Sequence, residues 1–237
     1  MRSAYCLALS AALAALLFAR TLAAAESFVV VEARGVDLLP GAAVDGGQPL
    51  ALGQGQEVVL ISASGRMLKL IGPYNQAPGA QGAESGTDVV GALKSLVVSQ
   101  GPRSGSVGLV RGAEGEVVPP QPWLVDVTHA GNRCVREGEQ IVFWRPSDTS
   151  AATLAIMPYD RSWRIRADWP AGAHEAVAPK SVPFHDDATY MISLNGTERT
   201  INLITIPATV STDEMRAGWM VEKGCQAQAQ ALARALK

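Results

Sequence analysis

The chain has 237 residues, with 20 Lys and Arg against 22 Asp and Glu and a net charge of −2, so it lacks the basic excess that attracts nucleic acid. Its length suffices for one large or two small domains with a real core, and size alone does not demand staples. The thiols are few: one near the N-terminus and two far downstream.

Met1 and Arg2 open a positively charged start, an apolar run from Ala4 to Leu17 follows, and Leu22-Ala23-Ala24-Ala25 offers small residues before Glu26. That arrangement predicts a signal peptide over residues 1–25 and a periplasmic or secreted destination. Arg20 ends the run short of the roughly 20 apolar residues that a membrane span needs, so no stable anchor is expected after cleavage. Cys6 lies at the start of the apolar segment, where a lipidated cysteine would not.

Residues 26–74 read as a small β unit. Val29-Val30-Val31 is β-branched, Glu57-Val58-Val59-Leu60-Ile61 is a second strand, and Ser64-Gly65 turns the chain into Arg66-Met67-Leu68-Lys69-Leu70-Ile71 before Gly72-Pro73. Gly53-Gln54-Gly55 carries no dinucleotide fingerprint, because Val58 stands where the third glycine belongs and a strand follows. Residues 75–122 read as a linker region rich in Gly, Ala, Gln, Pro and Ser. Within it a short helix over 88–100 places Val89, Val90, Leu93, Leu96 and Val97 on one face, with Thr87 or Asp88 as N-cap. A boundary near residue 115 would leave the two halves with separate cores.

Residues 123–237 carry every tryptophan: Trp123, Trp144, Trp163, Trp169 and Trp219. Between Ser162 and Trp169 apolar and polar residues alternate, and strands over 140–144 and 153–157 flank a turn at Pro146 to Ser150. Two more strands flank Asn195-Gly196, a strong hairpin signal that also explains the glycosylation sequon at Asn195-Gly196-Thr197. After Pro207, Ser211-Thr212-Asp213-Glu214 has the form of a capping box, and the helix it starts meets two candidate breakers, Gly218 and Gly224. Cys225, Ala229, Leu232 and Leu236 share a face of that helix. The expected fold is mainly β: a small N-terminal β unit, a short middle helix, and an antiparallel β-sandwich-like C-terminal domain ending in a helix.

In an exported chain Cys134 and Cys225 are expected to form a disulfide that ties the C-terminal helix to the β domain; the competing readings are two buried thiols or a redox pair. Closing so long a loop is worth about 4 to 5 kcal/mol on chain-entropy reasoning.

No Gly-x-Ser-x-Gly elbow, phosphate loop or His-Glu-x-x-His is present. His185-Asp186-Asp187 has residue types suited to metal or acid–base work, but three successive side chains at a strand entry are better read as turn chemistry. His129 and His174 stand isolated in sequence and read as surface or satisfied residues. Arg161, Arg164 and Arg166, together with His185, Asp186 and Asp187, form the candidate binding surface; no catalytic residue, cofactor or metal is expected.

The stretch Leu52-Gly-Gln-Gly-Gln-Glu-Val-Val-Leu-Ile-Ser-Ala-Ser-Gly-Arg-Met-Leu-Lys-Leu-Ile-Gly-Pro-Tyr74 resembles the small β module of FecR-like periplasmic proteins. The resemblance implies an envelope-signalling role and supplies no catalytic residue. The expected function is that of an exported, non-catalytic interaction or envelope-signalling accessory protein with a protein partner. The alternative is a cell-envelope glycan-binding protein or a hydrolase with dispersed catalytic residues.

Overall fold

The computed structural model describes residues 26–80, 86–99 and 117–236. The leader and the boundary near residue 115 lie outside the described residues. The fold is mainly β, with a short middle helix and a helical C-terminus.

The N-terminal sheet has five strands: β1 (Ser27–Arg34), β2 (Ala43–Asp45), β4 (Glu57–Ser62), β5 (Arg66–Ile71) and β7 (Thr87–Asp88), in the order β2-β1-β4-β5-β7. Its central strands are apolar without interruption because both faces are covered. Phe28, Val30, Val58, Leu60, Leu68 and Leu70 pack with Leu52 toward the small pair β3 (Leu50–Leu52) and β6 (Tyr74–Gln76). Val29, Val31, Val59, Ile61 and Met67 face the opposite way, into a core lined by helices.

Those helices are α1 (Val89–Ser99), α2 (Asp213–Glu222) and α3 (Gln226–Ala235). Asp88 caps α1, its Oδ1 accepting from the Gly91 N–H at 2.8 Å. Thr212, not Ser211, caps α2: its Oγ1 accepts from the Met215 N–H at 3.1 Å and donates to the Ala63 carbonyl at 2.7 Å. The capping oxygen therefore lies one residue later than the Ser-x-x-Glu pattern indicates, because Thr212 also reaches the β4–β5 turn. Gly224, at φ 76°, separates α2 from α3, while Gly218 remains inside α2.

The C-terminal strands form two facing sheets. One has five strands in the order β12 (Ile165–Trp169), β11 (Ala152–Pro158), β14 (Ala188–Leu194), β15 (Thr197–Ile206) and β9 (Gly131–Arg136). The other has β13 (Glu175–Val177), β10 (Val142–Trp144) and β8 (Leu124–Asp126). Between them lie Val125, Phe143, Leu154, Ile156, Trp169, Tyr190, Ile192, Ile201 and Leu203. The sandwich is not wholly antiparallel: β15 pairs with β9, and β10 with β8, in parallel. The chain steps from β8 to β9 on the other sheet and back to β10, so successive strands of one sheet are joined by a crossover rather than a hairpin.

The cores are not separate. Ile204 and Ile206 of β15 and Cys134 of β9 belong to the same apolar cluster as Val29, Ile61 and Trp219, whereas Ile201 and Leu203 face the sandwich interior. The three helices fill the space between the N-terminal sheet and the β15/β9 edge, and α1 contributes Val89, Val90 and Leu93 to that packing. A helix with linker-like flanks is thus a core element.

Candidate functional site

Asp186 and Asp187 are occupied with backbone and turn geometry. The Thr205 N–H donates to Asp186 Oδ1 at 2.6 Å, and Asn202 Nδ2 donates to Asp187 Oδ1 at 3.1 Å. Strand β14 begins only at Ala188, opposite Leu203, so Thr205 lies beyond the end of its ladder and the Asp186 carboxylate takes the place of the missing strand. Asp187 adopts φ 51°, a left-handed conformation that Asp tolerates in tight turns. The His185 backbone N–H donates to the Tyr190 hydroxyl at 2.8 Å, and its side chain is exposed. The three neighbours therefore do not converge on a common point, and among the described residues no group of three or more metal-ligating side chains forms.

Arg161, Arg164 and Arg166 are all exposed, the last two as the alternation requires. Arg161 sits at φ 58° in the turn that follows β11, where its N–H donates to the Pro158 carbonyl at 2.9 Å. In the same turn, the backbone N–H and then the side chain of Ser162 hydrogen-bond the Asp160 carboxylate and hold its pKa below the ordinary value. Arg164 immediately precedes β12 and Arg166 lies within it; this strand ends the five-stranded sheet and pairs with β11 on one side only. The register sets Ile165 against Ile156 and Ala167 against Leu154 on the core face, and Arg166 against Ala155 on the outer face.

The sequence reading missed a buried polar cluster beneath β8. Asp126, 2% exposed, accepts from the Thr128 N–H at 2.7 Å and the Thr128 hydroxyl at 2.6 Å, and its other oxygen lies 2.7 Å from His129 Nδ1. Arg133, also buried, donates to the carbonyls of Asp126, His129 and Asn132. The Asp126–His129 contact is a pairing of residues three apart in a turn. Asp126 and Arg133 both bond backbone groups of this turn, and Arg133 Nη2 lies 3.9 Å from Asp126 Oδ2, so the cluster fixes the β8–β9 connection and holds His129 in place. His174 is likewise engaged, with Nδ1 3.1 Å from the Arg145 carbonyl and Nε2 3.5 Å from Asp148.

Cys134 and Cys225 are both buried, with their sulfurs at bonding distance, 2.06 Å, and Cα atoms 5.9 Å apart. The two-cysteine reading is thereby resolved in favour of the pair, which fastens the start of α3 to β9.

No protein-family model matches the chain, and no curated protein sequence matches it. The fold and these surfaces define its class: a mainly β protein with a helix-filled core between two sheet systems.

Proposed function

We propose that this is an exported, non-catalytic interaction protein of the cell envelope, an accessory in envelope signalling that docks an extended acidic segment along β12. The observation that carries the reading is the edge position of β12 together with the exposure of Arg164 and Arg166 beside it. A sheet edge offers main-chain donors and acceptors to an added strand. Two arginines on that edge oppose pairing with a second copy and favour a partner strand bearing Asp or Glu. The N-terminal leader pattern, the Cys134–Cys225 pair and the FecR-like stretch at 52–74 support the compartment and the signalling role. The roles of Asp186 and Asp187 in holding Thr205 and Asn202 support a structural rather than a chemical use of that cluster.

The test is in-cell photo-crosslinking from position 168, an exposed site further along β12 that leaves both arginines in place, with mass spectrometry of the captured peptide. The expected result is one dominant envelope protein, cross-linked through an acidic stretch, with capture lost in the Arg164→Glu/Arg166→Glu variant. Capture indifferent to that charge reversal would overturn the docking mode. Saturable retention on purified peptidoglycan, or turnover of an envelope substrate lost on His185→Ala, would replace the reading with the glycan-binding or hydrolytic one.

A further inference from the structure

Away from β12, a groove of about 610 Å³ runs between the proline-rich segment at 119–122 and the helices α2 and α3. Its volume falls in the range of small-ligand sites, roughly 300–1,000 Å³. Three guanidinium groups line it, from Arg136 on β9, Arg216 on α2 and Arg234 in the last turn of α3, together with Trp123, Leu232 and Asp213.

The cations are not equivalent. Arg136 lies over the Trp123 ring, 4.2 Å from its centroid, and pairs with Glu139 through Nη2, while its buried Nε has no hydrogen-bond partner. Arg216 donates Nη1 to Asp213 at 2.6 Å. Arg234 is exposed and has no ion-pair partner among the described residues. Asp213 and Glu139 thus neutralise two of the three charges, which leaves one cation without an acidic partner among the described residues and unused N–H donors on all three side chains. The walls are tied to one another: Gln228 Nε2 on α3 donates to the Pro122 carbonyl at 2.9 Å, and the Cys134–Cys225 pair joins the start of the same helix to β9. Guanidinium groups with free donors, gathered in one concavity, recognise a planar or tetrahedral oxyanion.

We infer that this groove binds a small oxyanion-bearing ligand, carrying a carboxylate or a phosphate, with Arg234 and Arg216 as its charge contacts and the stacked Arg136 and Trp123 as part of its wall. The site is separate from the β12 edge and stands whether or not a strand docks there.

Calorimetric titration of the purified protein at low ionic strength with citrate, and separately with inorganic phosphate, tests it. Saturable one-to-one binding of at least one probe is expected, weakened about tenfold or more in Arg234→Gln and in Arg216→Gln, and unchanged in Arg164→Gln. Binding of citrate alone assigns the carboxylate, and binding of phosphate alone assigns the phosphoryl group. Arg234 is exposed at a helix end, so an unchanged thermal melt of Arg234→Gln is expected and separates lost binding from lost fold. Absence of saturable binding by either probe, or wild-type affinity in both groove variants, would overturn the inference.

Discussion

Gln228 serves Cys134 as a neighbouring strand would. Its side-chain oxygen accepts from the Cys134 N–H at 2.7 Å, and its amide nitrogen donates to the Cys134 carbonyl at 2.8 Å as well as to Pro122. Strand β9 is the last in its sheet, and a helix packs against it where a further strand would pair. A helix backbone is saturated internally and cannot satisfy a sheet edge, so the edge groups at this buried position need a side-chain amide with one acceptor and two donors. Asn132 of β9 does the reverse at the end of α2, where its Nδ2 donates to the Lys223 carbonyl at 2.7 Å.

Replacing Gln228 with Leu, which keeps much of the volume, leaves the Cys134 N–H and carbonyl buried without partners, while the half-buried Pro122 carbonyl loses its donor. The expected cost is about 2 to 6 kcal/mol, since each of the two orphaned buried groups on Cys134 is worth about 1 to 3 kcal/mol. Urea denaturation of the wild type and Q228L, with the slope held in common, measures it. A loss within a few tenths of a kcal/mol would show that the edge relaxes to water without penalty.

The disulfide acts on the same strand from three residues earlier in the helix. Cys134→Ala/Cys225→Ala is expected to cost about 2 to 5 kcal/mol. Because Gln228 and the disulfide fasten the same helix to β9, the variant lacking both is expected to lose more stability in total than the sum of the two separate losses. Non-reducing peptide mapping should recover Cys134 joined to Cys225; two alkylatable thiols in the native protein would remove the basis for both expectations.

Most strand positions were legible in the sequence because their signals are local. Asn195 and Gly196 adopt φ 52° and 84°, the pair of positive angles that a tight hairpin demands and that this dipeptide supplies at little strain. Asn195 adds a hydrogen bond from the Thr153 N–H to its side chain at 2.9 Å. What covers a face is not local. Val29-Val30-Val31 announces a strand buried on both sides, but nothing in those residues says that Val29 and Val31 meet helices from the far end of the chain. The site residues divide the same way. Gln226, Gln228 and Gln230 look alike in an Ala- and Gln-rich helix, yet only Gln228 is buried on the β9 edge. His129 looked isolated because its partner Asp126 approaches through a turn, which no helical or strand period marks.

Asp186 and His185 differ in what they hold, although they are adjacent. Asp186→Ala removes the acceptor of the Thr205 N–H and is expected to lower stability by about 0.5 to 1.5 kcal/mol, because the site is exposed and water can replace the carboxylate. His185→Ala keeps its backbone N–H on Tyr190 and is expected to leave stability unchanged within about 0.5 kcal/mol. Paired thermal melts of the two variants compare them directly. An equal loss in both would mean that the His185 ring carries packing of its own.

Glu57 and Lys69 give the β4–β5 pair a pH dependence of known sign. Lys69 stands opposite Val59, diagonal to Glu57, and its Nζ lies 2.7 Å from Glu57 Oε1. The hydrogen bond from Lys69 holds the Glu57 carboxyl below its ordinary pKa, with desolvation opposing and the charges of Lys69 and Arg34 assisting. A carboxyl depressed in the folded state contributes stability that is present above its unfolded pKa and is lost as pH falls through the folded value. In Lys69→Met the Glu57 carboxyl, followed by carbon-detected NMR titration, is therefore expected to move up toward the ordinary range, and the acid limb of the stability profile to flatten slightly. Both charges are solvent-accessible, so the shift should also shrink in high salt. A Glu57 titration identical in wild type and K69M would show that the pair does not persist in solution.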